Sequence, residues 1–128
     1  MHSRIIGSDF KVTTIITNEA VEDLLCSAFE GGSNYWAQAE AHTKPRAGAT
    51  YLHQYPIREG SVIITDMENG GRKYTLDRSA LQRGLEAMSK LEPGKGSHHW
   101  ADLLKGDTDA TTGDVFLQMC LFGEIMYG

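Results

Sequence analysis

Covalent and conformational braces are scarce in this chain, which has two cysteines and three prolines among 128 residues. Cys26 and Cys120 both fall in apolar, helix-like patterns. They read as reduced core residues of a cytosolic protein and not as a disulfide framework. Long apolar runs are also missing. Nothing approaches the ~20 residues that a membrane-spanning helix needs, and no secretory apolar core precedes Phe10. Basic runs are missing too: 12 Lys and Arg stand against 17 Asp and Glu, a net charge of −5. Non-specific nucleic-acid binding needs a basic face and is not expected. The glycine pairs Gly31-Gly32, Gly70-Gly71 and Gly94 with Gly96 match neither the dinucleotide nor the P-loop spacing. No serine carries the flanking glycines of a nucleophile elbow. The expectation is a protein without cofactor, resident metal or catalytic residue, and without a membrane partner.

What is present suits an ordinary domain. Hydrophobic residues make up 41% and charged residues 23% of the chain. Residues 1–128 are expected to form one domain, with 1–9 a flexible N-terminal arm. Phe10–Thr17 alternates β-branched residues and predicts a first strand. Asn18 predicts a helix cap, and Val21, Leu24, Leu25, Ala28 and Phe29 form one apolar helical face up to a left-handed stop at Gly31. Ser33–Ala41 predicts a second strand. His42–Gly60 predicts a long loop, extended near Tyr51, of a length that is often functional or mobile.

Ser61–Asp66 and Arg72–Leu76 predict a hairpin around Glu68-Asn69-Gly70-Gly71. Asp77 predicts the cap of a helix whose core face is Leu81, Leu85 and Met88, with Gly84 allowing close approach, ended by Glu92-Pro93-Gly94. His98–Lys105 predicts a short helix. Thr111 predicts the cap of a last helix over Thr112–Leu121, apolar on every side and so buried in the domain or at a subunit contact. The fold class expected is α+β: an antiparallel sheet of about four strands with helices on one face.

Candidate chemistry is thin. His98 and Asp102 are spaced i, i+4 and can place two ligands on one metal, with His42 and His53 as further donors; a surface histidine is the simpler reading. Asp107, Asp109 and Asp114 lack the central glycine and final glutamate of a calcium loop and read more simply as helix-terminal acids. Glu30-Gly31-Gly32-Ser33-Asn34-Tyr35-Trp36 is the richest segment. Adjacent strand residues face opposite ways, so one of Tyr35 and Trp36 should face solvent, a partner or a ligand. Arg58 and Trp100 complete a candidate ligand pocket, an arginine for phosphate and an indole for a base. The alternative for each is a surface residue or a core plug. The apolar end, Leu121–Gly128, suggests a docked terminal strand or an oligomer contact, with Glu124 needing a partner if buried.

The segment from Glu30 to Trp36, with Val115-Phe116-Leu117-Gln118 and the closing Phe122-Gly123-Glu124-Ile125-Met126-Tyr127-Gly128, resembles a family of small tailed-phage and prophage proteins. The likeness runs from about Phe10 to the end, and Met126 stands where the family pattern has Val. Most members have no assigned function, so the resemblance implies origin more firmly than activity. It implies a counter-defence protein in the cytoplasm of an infected bacterial host, acting by binding. The foremost expectation is a homo-oligomeric sponge for a cyclic-nucleotide-type signal, similar in kind to the Thoeris anti-defence sponges, from which no ligand residue is carried over. The alternative is an anti-CRISPR-type protein that blocks a host defence protein. A metal-dependent hydrolase built on His98 and Asp102 ranks third.

Overall fold

The computed structural model describes residue 10 and residues 12–128. The arm expected over 1–9 lies outside them. In chain order the elements are α1 (Asn18–Ser27), β1 (Ala37–Thr43), β2 (Ser61–Asp66), β3 (Arg72–Leu76), α2 (Arg78–Met88), α3 (Ser97–Lys105) and α4 (Ala110–Phe122). A wide π-type turn over Ala28–Gly32 extends α1, and a single 3₁₀ turn, Leu52–Gln54, interrupts the long loop. The three strands form an antiparallel sheet in the order β1-β2-β3. The α+β class is as expected, with one strand fewer among the described residues.

The missing strand is Phe10–Thr17. Among its described residues none is paired in the sheet, and Phe10, Val12 and Ile15 are exposed. Alternation marks a segment suited to a pleated surface but does not supply a neighbouring edge. Ile16 alone turns toward the core. Thr17, not Asn18, caps α1, its Oγ1 accepting from Ala20 N at 3.1 Å. Asn18 Oδ1 is taken by Arg78 Nη2 at 3.0 Å. The second strand starts at Ala37 and not at Ser33, because Ser33–Trp36 is a turn held by bonds to the Ser33 carbonyl from Trp36 N and Ala37 N. The last helix begins two residues earlier than expected: Asp109 Oδ1 accepts from Thr112 N at 2.9 Å and so displaces Thr111 as the cap. Asp77 caps α2 as read from sequence.

Alternation does hold in β2. Val62, Ile64 and Asp66 are buried on one face, while Ile63 and Thr65 are half-buried on the other. Ile64 pairs across to Ala39 and Tyr74, and Val62 to Ala41 and Leu76. Helix α4 is the centre of the molecule: every residue from Thr112 to Cys120 is buried. It packs against α1, α2, α3 and β3, so its all-round apolar surface is consumed within the domain.

Two glycines permit these contacts. A Cβ on Gly84 would strike Cys120 Sγ where α2 crosses α4. A Cβ on Gly113 would lie 2.7 Å from Leu24 O and 3.0 Å from Ala28 N, both backbone atoms of the α1 segment. Gly31 has open space around it and φ 163°, ψ −42°, outside the left-handed region, so it is not the αL stop expected. Because Gly113 has no room for a Cβ, Gly113→Ala should cost about 1–3 kcal/mol in urea unfolding. A loss under about 0.5 kcal/mol would overturn this account of the α1–α4 contact.

Candidate functional site

A carboxylate buried inside an apolar helix must be fully hydrogen-bonded or it is costly. Asp114 meets that demand with four donors. Ser33 Oγ at 2.8 Å and Trp36 Nε1 at 2.7 Å donate to Oδ1; Tyr35 OH at 2.6 Å and Gln118 Nε2 at 3.2 Å donate to Oδ2. Gln118, one turn further along α4, then holds the chain end. Its Oε1 accepts from Met126 N at 2.7 Å and Tyr127 N at 2.8 Å, and its Nε2 reaches Tyr127 O. The tail is therefore docked by side-chain bonds and not as a strand. Glu124 is exposed and needs no partner. Tyr127 OH donates to a second buried carboxylate, Asp66 Oδ2, at 2.7 Å, while Asp66 Oδ1 accepts from Glu68 N. The rings of Trp36, Phe122 and Tyr127 fill the space between these acids, each pair at centroid distances of 5.3–6.0 Å.

This geometry decides the sequence-nominated pocket of Tyr35, Trp36, Arg58 and Trp100. Trp36 has no exposed surface, so it is a core residue and offers no face to a ligand. Tyr35 is half exposed, but its hydroxyl is committed to Asp114. Arg58 is exposed, with Nη1 3.4 Å from Gly48 O. Trp100 lines a different groove, with Ile15, Leu85 and Glu86. The four do not form one cavity. Ser33–Trp36 is a turn, so strand alternation never applied to it.

The expected long loop is pinned. Gln54 Oε1 accepts from Thr50 N and Tyr51 N, and its Nε2 donates to Glu22 Oε1 at 2.9 Å. Arg78 Nη1 donates to Ile57 O at 2.7 Å, and Pro56, Ile57 and Gly60 are buried. This ordered loop forms one wall of a groove of about 520 Å³, facing β1 and the turn after α1. Phe29, Leu52 and Met67 supply apolar surface; Glu30, Asn34 and Gln38 supply polar edges. Tyr51, more than half exposed, stacks on buried His53 at 5.5 Å with the planes 6° apart.

The histidines do not converge as the hydrolase reading requires. His42 Nδ1 lies 3.0 Å from Ser61 Oγ, His98 packs on His99, and His99 Nδ1 lies 3.2 Å from Thr112 Oγ1. Burial holds His99 below its ordinary pKa. Asp107, Asp109 and Asp114 form no ligand set: Asp109 caps α4 and Asp114 faces the turn. Among the described residues the grouping of three metal-ligating side chains is Cys26, Glu30 and His53. Cys26 is half-buried and not a core residue, whereas Cys120 is buried. The bond from Cys26 Sγ to Glu30 and burial push its thiol up to about 11, and burial raises Cys120 further.

Sequence reasoning missed Asp114 as a hub. The signal was there: an i, i+4 polar pair, Asp114 and Gln118, inside an otherwise apolar helix. Comparison with protein-family models, curated proteins and solved structures returns no match. Among the described residues no helix is long and apolar enough to cross a membrane.

Two predictions test the hub. Asp114→Ala strands buried donors on Ser33 and Trp36 and should cost about 3 kcal/mol or more. Asp114→Asn keeps one accepting oxygen and should fall between that variant and the parent; a loss under about 1 kcal/mol for the alanine variant would remove Asp114 from this role. The second concerns alkaline pH. The hydrogen bond to Asp66, then desolvation, push Tyr127 from 10.0 up to about 12. Burial, then the bond to Asp114, raise Tyr35 as well. A folded pKa above the unfolded one contributes stability that is complete below the unfolded value and is lost as pH rises. For Tyr127 the loss should span pH 10.0 to about 12, and Tyr127→Phe should flatten that part of the stability profile. An unaltered profile in the variant would count against the bond.

Proposed function

We propose that this protein acts by binding, without catalysis, and sequesters a small nucleotide-type immune signal in the cytoplasm of an infected bacterial host, as a homo-oligomeric phage counter-defence protein. The observation that carries the reading is the groove beside Tyr51. An exposed phenol ring, backed by a parallel imidazole, offers a planar platform to a nucleobase. Asn34, Gln38 and Glu30 stand nearby with donors and acceptors suited to a base edge. Both thiols are held protonated at neutral pH, which favours binding over nucleophilic chemistry. The stacking residue in this reading is Tyr51, in place of Trp36.

A second reading, a block on a host defence protein of the anti-CRISPR type, is favoured by a different feature. Phe10, Val12 and Ile15 present large apolar side chains to solvent in one segment. Such surface is a common mark of protein contact.

Thermal shift against a panel of cyclic mono-, di- and trinucleotides and cyclic ADP-ribose isomers separates the two. A ligand at a hundred times its dissociation constant adds about 2.7 kcal/mol, roughly a 10 °C rise for a domain of this size. Tyr51→Ala should abolish the rise, and Tyr51→Phe, which keeps the stacking ring, should retain it. A flat panel, with a host protein retained by the immobilised chain and lost on Val12→Asp with Ile15→Asp, would replace the first reading with the second.

A further inference from the structure

Helix α1 ends in a row of coordinating side chains. Glu22, Cys26 and Glu30 follow one another at four-residue spacing, so they share a helix face. Cys26 Sγ lies 2.9 Å from Glu30 Oε2. The 3₁₀ turn of the long loop brings His53 against this row, with Nε2 3.7 Å from Glu22 Oε1. Stacking against Tyr51 and burial hold the imidazole in that orientation. One thiol, one carboxylate and one imidazole thus place their ligand atoms within 4.8 Å of one another.

The geometry points to a divalent transition-metal site of the zinc class, held by Cys26 Sγ, the Glu30 carboxylate and the His53 imidazole, with Glu22 beside it as a fourth donor or as the orienting partner of His53. The donor set selects the ion. A thiolate with an imidazole suits a borderline-soft cation, whereas calcium and magnesium take oxygen. Bond lengths of roughly 2.0–2.3 Å in a tetrahedron put neighbouring ligand atoms about 3.3–3.7 Å apart. The present atoms, within 4.8 Å of one another, differ from that spacing by about an ångström. On binding, the Cys26 proton passes to solvent and the sulfur coordinates as thiolate, with no change of oxidation state.

The site joins two stretches remote in sequence, the end of α1 and the long loop. It also adjoins the groove, since Glu30 and His53 line both. Among the described residues the groove lining contains no lysine or arginine. A divalent ion there would cancel the charges of the Cys26 thiolate and the Glu30 carboxylate beside the groove. The metal site itself does not depend on the nucleotide reading, and either can fail alone.

The test uses the full chain, stripped with chelator and dialysed against zinc, with metal counted by mass spectrometry and cobalt(II) as the spectroscopic probe. One ion per chain is expected, with a thiolate-to-cobalt charge-transfer band and a zinc-dependent rise in melting temperature. Cys26→Ala should remove the band, and Cys26→Ala or Glu30→Gln should each weaken zinc binding about tenfold or more. Both residues are at least partly exposed, so the metal-free melting temperatures should match the parent and show an intact fold. His98→Gln should bind zinc as the parent does. Less than about one ion per five chains, or equal zinc affinity in parent and Cys26→Ala, would overturn the assignment. Neither result depends on the nucleotide panel.

Discussion

A carboxylate at the centre of an apolar helix is the constraint on which much of this structure depends. Asp114 lies where water cannot solvate it, so its oxygens must be met by donors from the chain. Ser33, Tyr35 and Trp36 provide them from a turn some eighty residues earlier, and Gln118 provides one from the next turn of α4. Each bond fixes something larger. The Trp36 bond draws the indole fully inside, where Phe122 and Tyr127 pack on it. Gln118 fastens the backbone of the chain end. Tyr127 is thereby brought to Asp66 at the end of β2. Helix, turn, tail and sheet are linked through two buried acids and the aromatic rings between them.

This arrangement gives the two sequence signatures a physical meaning. The Glu-Gly-Gly-x-x-Tyr-Trp segment and the closing Phe-Gly-Glu-Ile-Met-Tyr-Gly segment lie far apart in the chain but meet around Asp114 and Gln118. Gly32 belongs to the same contact, since a Cβ there would run into the Ala110 carbonyl at the start of α4. The pattern of glycines, aromatics and tail is what a network of this kind needs in order to close. It accounts for architecture, and most of its aromatic surface is spent inside the molecule.

The exposed candidate chemistry lies along α1 and the ordered loop. There a stacked Tyr51–His53 pair, a row of acids and a half-buried thiol adjoin one groove. The loop is held by side-chain bonds to α1 and α2, through Gln54 to Glu22 and Arg78 to Ile57. Platform and cluster are consequently presented by an ordered wall, which limits the entropy lost when a ligand binds.

Local rules account for what was readable in the sequence. Periodicity located α1 and α2, because those helices bury one stripe and the spacing of apolar residues records it, and the Asn69-Gly70 turn located the β2–β3 hairpin. The uniform apolarity of α4 announced a helix buried in the domain or at a subunit contact, and the fold decided for the first. Phe10–Thr17 misled because a strand needs a partner edge, and β-branched alternation carries no information about whether one is free. Of Tyr35 and Trp36 one is exposed and one buried, as expected, but their directions are set by hydrogen bonds to Asp114, a residue distant in the chain, and not by a pleat. The gathering of Cys26 and Glu30 with His53 was beyond reach for a related reason. Helical spacing places the first two together, but only the folded loop delivers the third. By itself the sequence determined the class, most helices and the hairpin, which follow from local periodicity and turn chemistry. Only the tertiary structure decided which polar groups meet, since that depends on contacts between segments that no local pattern encodes.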